Sequence, residues 1–76
     1  MNKISIIKFL EQNNIKYELK EGKFGQFDIY LPEYKNVINI QCYYDNCEIV
    51  VREESNVEIY DCNKYLKVDF LENYRG

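Results

Sequence analysis

The spacing of hydrophobic residues along the chain changes after residue 14. Before that point Ile6, Ile7 and Leu10 recur at the three- and four-residue intervals that place side chains on one face of a helix. Asn2 is a favourable helix N-cap, and the pair Asn13-Asn14 suits the left-handed conformation in which many helices end. This pattern predicts an amphipathic helix over residues 2–13.

From Ile15 to Asp61 apolar and polar residues alternate with a period of two, in segments separated by residues typical of turns. Such alternation predicts antiparallel strands that each bury one face. The dipeptide Asp45-Asn46 is a credible two-residue hairpin turn, because both residue types accept positive φ. A turn there pairs Cys42 with Ile49 and keeps the apolar side chains on one face.

The hairpin that follows depends on the length of its loop. A three-residue loop over residues 53–55 places Val51 opposite Val57, so that Ile59 also faces the core. A two-residue loop would place Val51 opposite Glu58 and mix apolar with charged positions on both faces. The sequence therefore favours the three-residue loop.

Residues 63–76 fit two different structures. Alternate apolar residues from Leu66 to Phe70 fit a strand, whereas Leu66, Phe70 and Tyr74 fit one face of a helix. We favour the helix because Asp61 or Asn63 can cap it and the chain ends in residue types typical of a helix terminus.

Together these elements predict a single small α+β domain spanning residues 1–76. It has an N-terminal helix, a four-stranded antiparallel β-meander and a C-terminal helix, with both helices on one face of the sheet. The predicted core consists of Ile6, Phe9, Leu10, Tyr17, Phe27, Ile29, Leu31, Ile38, Ile40, Cys42, Ile49, Val51, Val57, Ile59 and Leu66.

The net charge and the shortness of the apolar segments exclude some classes of binding partner. The net charge is −3 with a formal excess of acids over bases, which disfavours nonspecific nucleic-acid binding because that requires clustered Lys and Arg. No segment approaches the roughly 20 apolar residues of a membrane span, and the N-terminal sequence does not resemble a signal peptide. We therefore expect a cytoplasmic protein that binds no membrane.

The chemistry-bearing residues argue against catalysis. The chain contains no histidine, the usual general base near neutral pH. Three cysteines, Cys42, Cys47 and Cys62, are an odd number, and we expect them to be free thiols in a reducing compartment, with no disulfide and no metal. No catalytic residue and no cofactor are predicted.

A candidate binding surface lies on the sheet face opposite the predicted helices. In the inferred registers this face carries Asp28, Tyr30, Asn39, Gln41, Tyr43, Glu48, Val50, Arg52, Glu58 and Tyr60. Tyrosines supply rigid contact area in protein interfaces, and acids select a basic partner. We predict that Tyr30, Tyr43, Glu48, Glu58 and Tyr60 bind the partner, although the same composition also fits an ordinary solvated sheet face. The alternative site is a pair of loops around Phe24 and Tyr34.

The expected function is that of a small non-enzymatic protein-binding module. The chain is small, acidic and rich in tyrosine, and its many Ile, Lys, Asn and Tyr residues are typical of proteins from AT-rich genomes. In these properties it resembles small phage or mobile-element proteins that block host nucleases or defence proteins. That resemblance implies a larger protein partner with a basic surface and action in the host cytoplasm. The alternative is a small-molecule or nucleotide binder that uses tyrosine stacking, with a homodimer interface as one place for the pocket.

Overall fold

A computed structural model describes residues 1–34 and 38–75 and confirms the α+β class. The sheet has five strands instead of the predicted four. The elements are α1 (Lys3–Gln12), β1 (Glu18–Glu21), β2 (Gln26–Tyr30), a 3-10 turn (Pro32–Tyr34), β3 (Ile38–Tyr43), β4 (Asn46–Glu53), β5 (Asn56–Asp61), α2 (Cys62–Tyr65) and α3 (Val68–Glu72).

The first helix begins and ends close to the predicted residues. The Asn2 side chain accepts a hydrogen bond from the Ser5 backbone N–H at 2.9 Å, which satisfies one of the free donors of the first turn. Asn14 takes a positive φ of 55° just beyond the helix end. Ile6 and Leu10 are fully buried against the sheet, as the helical spacing predicts.

The five strands form an antiparallel meander in which each strand pairs with its neighbours along the chain. Ile29, Ile40 and Ile49 stand side by side across β2, β3 and β4 and form the centre of the core. The helices cover this face of the sheet. Among the described residues, no helix is both long and apolar enough to cross a membrane.

The turn between β3 and β4 differs from its predicted position. It is formed by Tyr44-Asp45, so Tyr43 pairs with Asn46 and Cys42 pairs with Cys47 instead of Ile49. The predicted register was therefore wrong by two residues. Because side chains alternate with a period of two, this shift leaves every residue of β4 on its predicted face.

The turn between β4 and β5 has two residues, Glu54 and Ser55, where three were predicted. Ile49 consequently pairs with Tyr60, and Val51 pairs with Glu58. A change of one residue in loop length moves all side chains of β5 to the other face. The predicted register of this hairpin was wrong, and so were the predicted positions of its side chains.

The composition of the core follows from these two registers, since β4 keeps its predicted face and β5 does not. Val57 and Ile59, predicted to be buried, are 62% and 60% exposed, and Phe9 and Tyr17 are only half-buried. The remaining predicted core residues are buried. The other buried residues are not in the predicted core list, although Cys47 was expected on the core face: Ile15, Tyr34, Asn39, Cys47, Val50, Cys62 and Leu71.

The C-terminal segment is helical, as predicted, but it is divided into two short helices. The Asp61 carboxylate accepts a hydrogen bond from the Asn63 N–H and caps α2. Lys67 has an extended backbone, which separates α2 from α3. Leu66 and Leu71 are buried on either side of this break. The predicted end of the helix at Gly76 lies outside the described residues.

Cys42 and Cys47 form a disulfide, which corrects the prediction of three free thiols. The two residues face each other across β3 and β4 with their Cα atoms 4.1 Å apart. Tyr43 and Asn46 form the hydrogen-bonded pair that closes the turn, so the next pair is a non-hydrogen-bonded one, in which side chains approach most closely. The two-residue shift in register therefore brings these cysteines together.

Candidate functional site

The side of the sheet opposite the helices, called the open face below, is organised in rows that run across the strands. Residues paired across neighbouring strands share a face, so the observed registers define these rows directly. The open face carries Glu18, Lys20, Gln26, Asp28, Tyr30, Asn39, Gln41, Tyr43, Asn46, Glu48, Val50, Arg52, Val57, Ile59 and Asp61.

One row is largely apolar and runs from the middle of the sheet to its edge. Tyr30, Asn39, Val50 and Ile59 are successive cross-strand neighbours on β2 to β5. Val50 is only 3% exposed even though it lies on the open face, because its neighbours cover it. Ile59 ends the row on the edge strand with its side chain largely in solvent.

Two basic side chains cover the polar part of this row. Arg52 donates a hydrogen bond from Nη1 to the Oδ1 of Asn39, so the buried amide has a partner. Lys20 places its Nζ 5.4 Å from the ring centroid of Tyr30, within the range of a cation–π contact. Both contacts hold the polar groups of the row in fixed positions.

The neighbouring row is acidic. Asp28, Gln41, Glu48 and Asp61 follow one another across β2 to β5, with Lys20 beside Asp28 on β1. Since alternate residues of a strand are about 7 Å apart, this row lies about 7 Å from the apolar one.

An open depression of about 470 Å³ lies over the acidic row. The open-face side chains that line it belong to Gln26, Asp28, Gln41, Tyr43, Asn46 and Glu48. Two of these six side chains are carboxylates and none is basic. The Tyr43 ring packs edge-to-face on Tyr44 with ring centroids 4.7 Å apart. The depression therefore offers an aromatic wall and an acidic floor.

The structure brings together three of the five residues predicted to bind a partner. Tyr30, Tyr43 and Glu48 lie on the open face. Glu58 and Tyr60 lie on the opposite, helix-covered face, because the two-residue turn reversed β5. The predicted five-residue cluster was therefore wrong in its β5 members.

Tyr60 belongs to an aromatic cluster between β5 and the C-terminal helices. Its ring centroid is 5.1 Å from that of Tyr65 and 4.9 Å from that of Phe70. Its hydroxyl donates a hydrogen bond to Glu58, and this contact, with lesser contributions from burial and Tyr74, raises the pKa of Tyr60 well above its ordinary value. Tyr60 thus has a structural position.

The alternative loop site is also divided by the fold. Phe24 is 77% exposed at a turn where its φ is 58°. Tyr34 is fully buried, and its hydroxyl accepts a hydrogen bond from Arg75 Nη2 at 3.3 Å. The prediction that both aromatic residues are available to a partner was wrong for Tyr34, since the 3-10 turn after Pro32 directs it into the core.

The remaining cysteine is poorly suited to nucleophilic chemistry. Cys62 is buried, and desolvation is the main cause that raises its pKa to about 12, with a further contribution from the Asp61 carboxylate. A thiol with this pKa is protonated near neutral pH and is a weak nucleophile. Within residues 1–34 and 38–75, no three or more acidic or cysteine side chains are grouped so that they could hold a metal ion.

Sequence reasoning missed Val57 and Ile59 as surface residues. Both alternations in β5 are regular, with Val57 and Ile59 on one side and Glu58 and Tyr60 on the other. Hydrophobicity alone assigns the aliphatic pair to the core. The composition of the edge strand held no further signal, because only the turn length decides which side is buried.

No protein family, no curated protein sequence and no solved structure matches the chain.

Proposed function

We propose that this protein is a small non-enzymatic binding module whose open face occupies a basic, partly apolar surface of a larger protein. The observation that carries the proposal is the placement of the apolar row beside the acidic row. A partner surface that buries aliphatic side chains against Tyr30 and Ile59 can place Lys or Arg over Asp28 and Glu48.

The physical properties of the two rows suit this role. Tyr30 and Tyr43 supply rigid apolar area at little cost in conformational entropy, and Ile59 is exposed where a partner can cover it. The carboxylates steer a basic partner during encounter and disfavour acidic ones. An ordinary solvated face accounts less well for Val57 and Ile59, which leave aliphatic area in contact with water.

The positions of the titratable groups support binding over catalysis. Cys62 and Tyr60 have raised pKa values that keep both groups protonated, and both lie away from the open face. The depression near Tyr43 is open and lined by carboxylates and amides, which suits an arginine or lysine side chain better than a reacting substrate.

The proposed biological role keeps the expectation drawn from composition. A small acidic protein that covers a basic surface is suited to blocking a host nuclease or defence protein, as phage and mobile-element inhibitors do, and would act in the host cytoplasm. In a reducing cytoplasm Cys42 and Cys47 would be present in part as a dithiol. Because both side chains point away from the open face, the proposed surface does not require the disulfide.

The proposal is tested with two variants of equal charge. The variant Asp28→Lys/Glu48→Lys reverses the charge of two side chains in the acidic row. The control, Glu11→Lys/Glu54→Lys, makes the same change in net charge at exposed positions in α1 and in the turn between β4 and β5. Proteins captured from a bacterial lysate by the wild type are identified by mass spectrometry, and the purified partner is titrated with each variant at two salt concentrations.

We expect the open-face variant to lose at least tenfold in affinity and to lose the salt dependence of association, whereas the control binds like the wild type. Equal losses in both variants would show that only net charge matters. Wild-type binding by the open-face variant would refute the proposed surface.

The alternative function, binding of a nucleotide by tyrosine stacking, makes a different prediction. Stacking on Tyr43 would bring phosphates close to Asp28 and Glu48, which repel them. Titration calorimetry with a nucleoside and with its triphosphate distinguishes the two functions: if either binds to the wild type but not to Tyr43→Ala, the protein-binding proposal gives way.

A further inference from the structure

The two edges of the sheet differ in how they are protected. β1 has four residues, and Glu18, Lys20 and Glu21 leave its edge highly charged. β5 has six residues and presents the exposed aliphatic side chains of Val57 and Ile59. Native proteins usually blunt exposed edges with short strands and charged residues, because a free edge accepts a further strand. β5 lacks that protection on its open face.

The outer edge of β5 presents backbone groups that β4 does not bind. A two-residue turn closes on a hydrogen-bonded pair, Glu53 and Asn56, so Glu58 and Tyr60 direct their N–H and C=O groups toward β4. Val57 and Ile59 therefore direct theirs away from the sheet. In the part of the chain that the structure describes, no turn, cap or loop hydrogen bond uses these groups.

We propose that a second copy of this chain pairs its β5 antiparallel with this edge, with Ile59 on the two-fold axis. In this register Ile59 exchanges both backbone hydrogen bonds with Ile59 of the second copy, and the Asp61 N–H donates to the Val57 carbonyl of the second copy. The axis is perpendicular to the sheet, so the two open faces lie on the same side. The inference does not rest on the proposed partner of the open face.

The side chains favour a second copy in this register. On the open face the apolar row continues from Val50 and Ile59 into Ile59 and Val50 of the second copy, which removes the exposed Ile59 side chains from water. On the helix side Glu58 stands opposite Tyr60 of the second copy, a carboxylate opposite a hydroxyl.

The nearest alternative register pairs side chains unfavourably. If Glu58 lay on the axis, two carboxylates would face each other directly in a cross-strand pair, which is destabilising. The outward-pointing backbone groups of Val57 and Ile59 can form hydrogen bonds in either register, so the side-chain charges select the one with Ile59 on the axis. This self-complementarity argues for a second copy over an unrelated strand.

The first test is the mass of the protein in solution, with an exposed isoleucine elsewhere as the control. We expect light scattering to show a shift from the chain mass of 9.2 kDa to twice that value as concentration rises from about 10 μM to 1 mM. Ile59→Lys should remain a monomer over this range, because two ammonium groups would meet on the axis. Ile4→Lys makes the same change on α1, where Ile4 is 75% exposed, and should still dimerise.

A cross-link tests the register. Ile59→Cys should form a disulfide-linked dimer under mild oxidation, since the two Cα atoms would be about 5.5 Å apart. Val57→Cys should not, because the two Val57 positions would be about 14 Å apart. Cross-linking of Val57→Cys alone, or of neither variant in a protein that dimerises, would overturn the register.

Hydrogen exchange of the wild type needs no substitution. The amides of Val57 and Ile59 should become protected as concentration rises, whereas those of Glu58 and Tyr60 should be protected throughout by β4. A monomer at every concentration, a dimer that survives Ile59→Lys, or fast exchange at Ile59 in the dimer would each refute the proposal.

Discussion

Ile49 on β4 and Tyr60 on β5 lie directly opposite one another, on the face of the sheet that the helices cover. This pairing decides the role of every side chain in the last strand. It directs Tyr60 toward Tyr65 and Phe70 and leaves Ile59 on the open face. The contact of β5 with the C-terminal helices is therefore made by the aromatic side chain of Tyr60, where the predicted register had the aliphatic side chain of Ile59.

Two isoleucine substitutions test this arrangement. Ile49→Ala removes a fully buried side chain and should lower the free energy of unfolding by about 2–5 kcal/mol, a large part of the stability of so small a domain. Ile59→Ala changes a side chain that is mostly in water and should cost less than about 1 kcal/mol. Urea denaturation at low protein concentration measures both, and equal losses would contradict the observed register.

Local signals in the sequence predict much of this fold. Asn2, the spacing of Ile6 and Leu10, and the alternation in β3 and β4 act within a few residues, and the structure confirms the elements that they predict. The cap at Asp61 likewise identifies the start of the C-terminal helices. Each of these features depends on contacts between close neighbours in the chain.

The position of the β3–β4 turn and the length of the β4–β5 turn could not be predicted from such local signals. Tyr44 and Glu54 have φ values of 57° and 51°, although neither residue type favours the left-handed region. Their positions were set by pairing energy along whole strands, which overrode local turn preference. The candidate site depends on those turns, so its β2 to β4 members were placed on the right face and its β5 members were not.

The loop between β1 and β2 offers a matched pair of glycine substitutions. Gly25 has a φ of 75°, and a Cβ built on it would lie 2.9 Å from Cε1 of Tyr44, so Gly25→Ala should destabilise the protein by about 1–2 kcal/mol. At Gly22 the nearest atom to an added Cβ is 3.5 Å away, and Gly22→Ala should be nearly neutral. Thermal unfolding of both variants compares the two sites, and equal melting temperatures would count against the Tyr44 contact.

The disulfide makes a prediction about thiol content. A denatured, non-reduced sample should contain one reactive thiol, that of Cys62, and complete reduction should reveal all three. Because the disulfide closes a very short loop, Cys42→Ser/Cys47→Ser should lower the stability by only about 2 kcal/mol. Reduction should destabilise the wild type by a similar amount and leave the double variant unchanged. Three thiols in the non-reduced sample would show that the strands are not cross-linked.

The buried thiol of Cys62 should make the free energy of unfolding fall as the pH becomes alkaline. Burial raises the pKa of its thiol from 9.0 to about 12, so between these values the folded state retains a proton that the unfolded state has lost. The contribution of this group to stability is complete below pH 9 and is lost as the pH rises toward 12. Denaturation curves from pH 8 to 11 should show a decline that is smaller in Cys62→Ala, after correction for the variant's stability at pH 8. The same decline in both proteins would remove Cys62 as its cause.

The two tyrosines that the sequence analysis grouped together should respond to substitution in opposite ways. Tyr60→Ala removes a half-buried ring that contacts two other aromatic rings, and it should lower the free energy of unfolding by about 2–3 kcal/mol. Tyr43→Ala changes an exposed ring on the open face and should cost less than about 1 kcal/mol while it reduces partner affinity by roughly thirtyfold. Circular dichroism and urea denaturation give the first quantity, and titration of the captured partner gives the second. A Tyr43→Ala protein that unfolds as easily as Tyr60→Ala, or one that binds like the wild type, would contradict the division of the sheet into a packed face and a binding face.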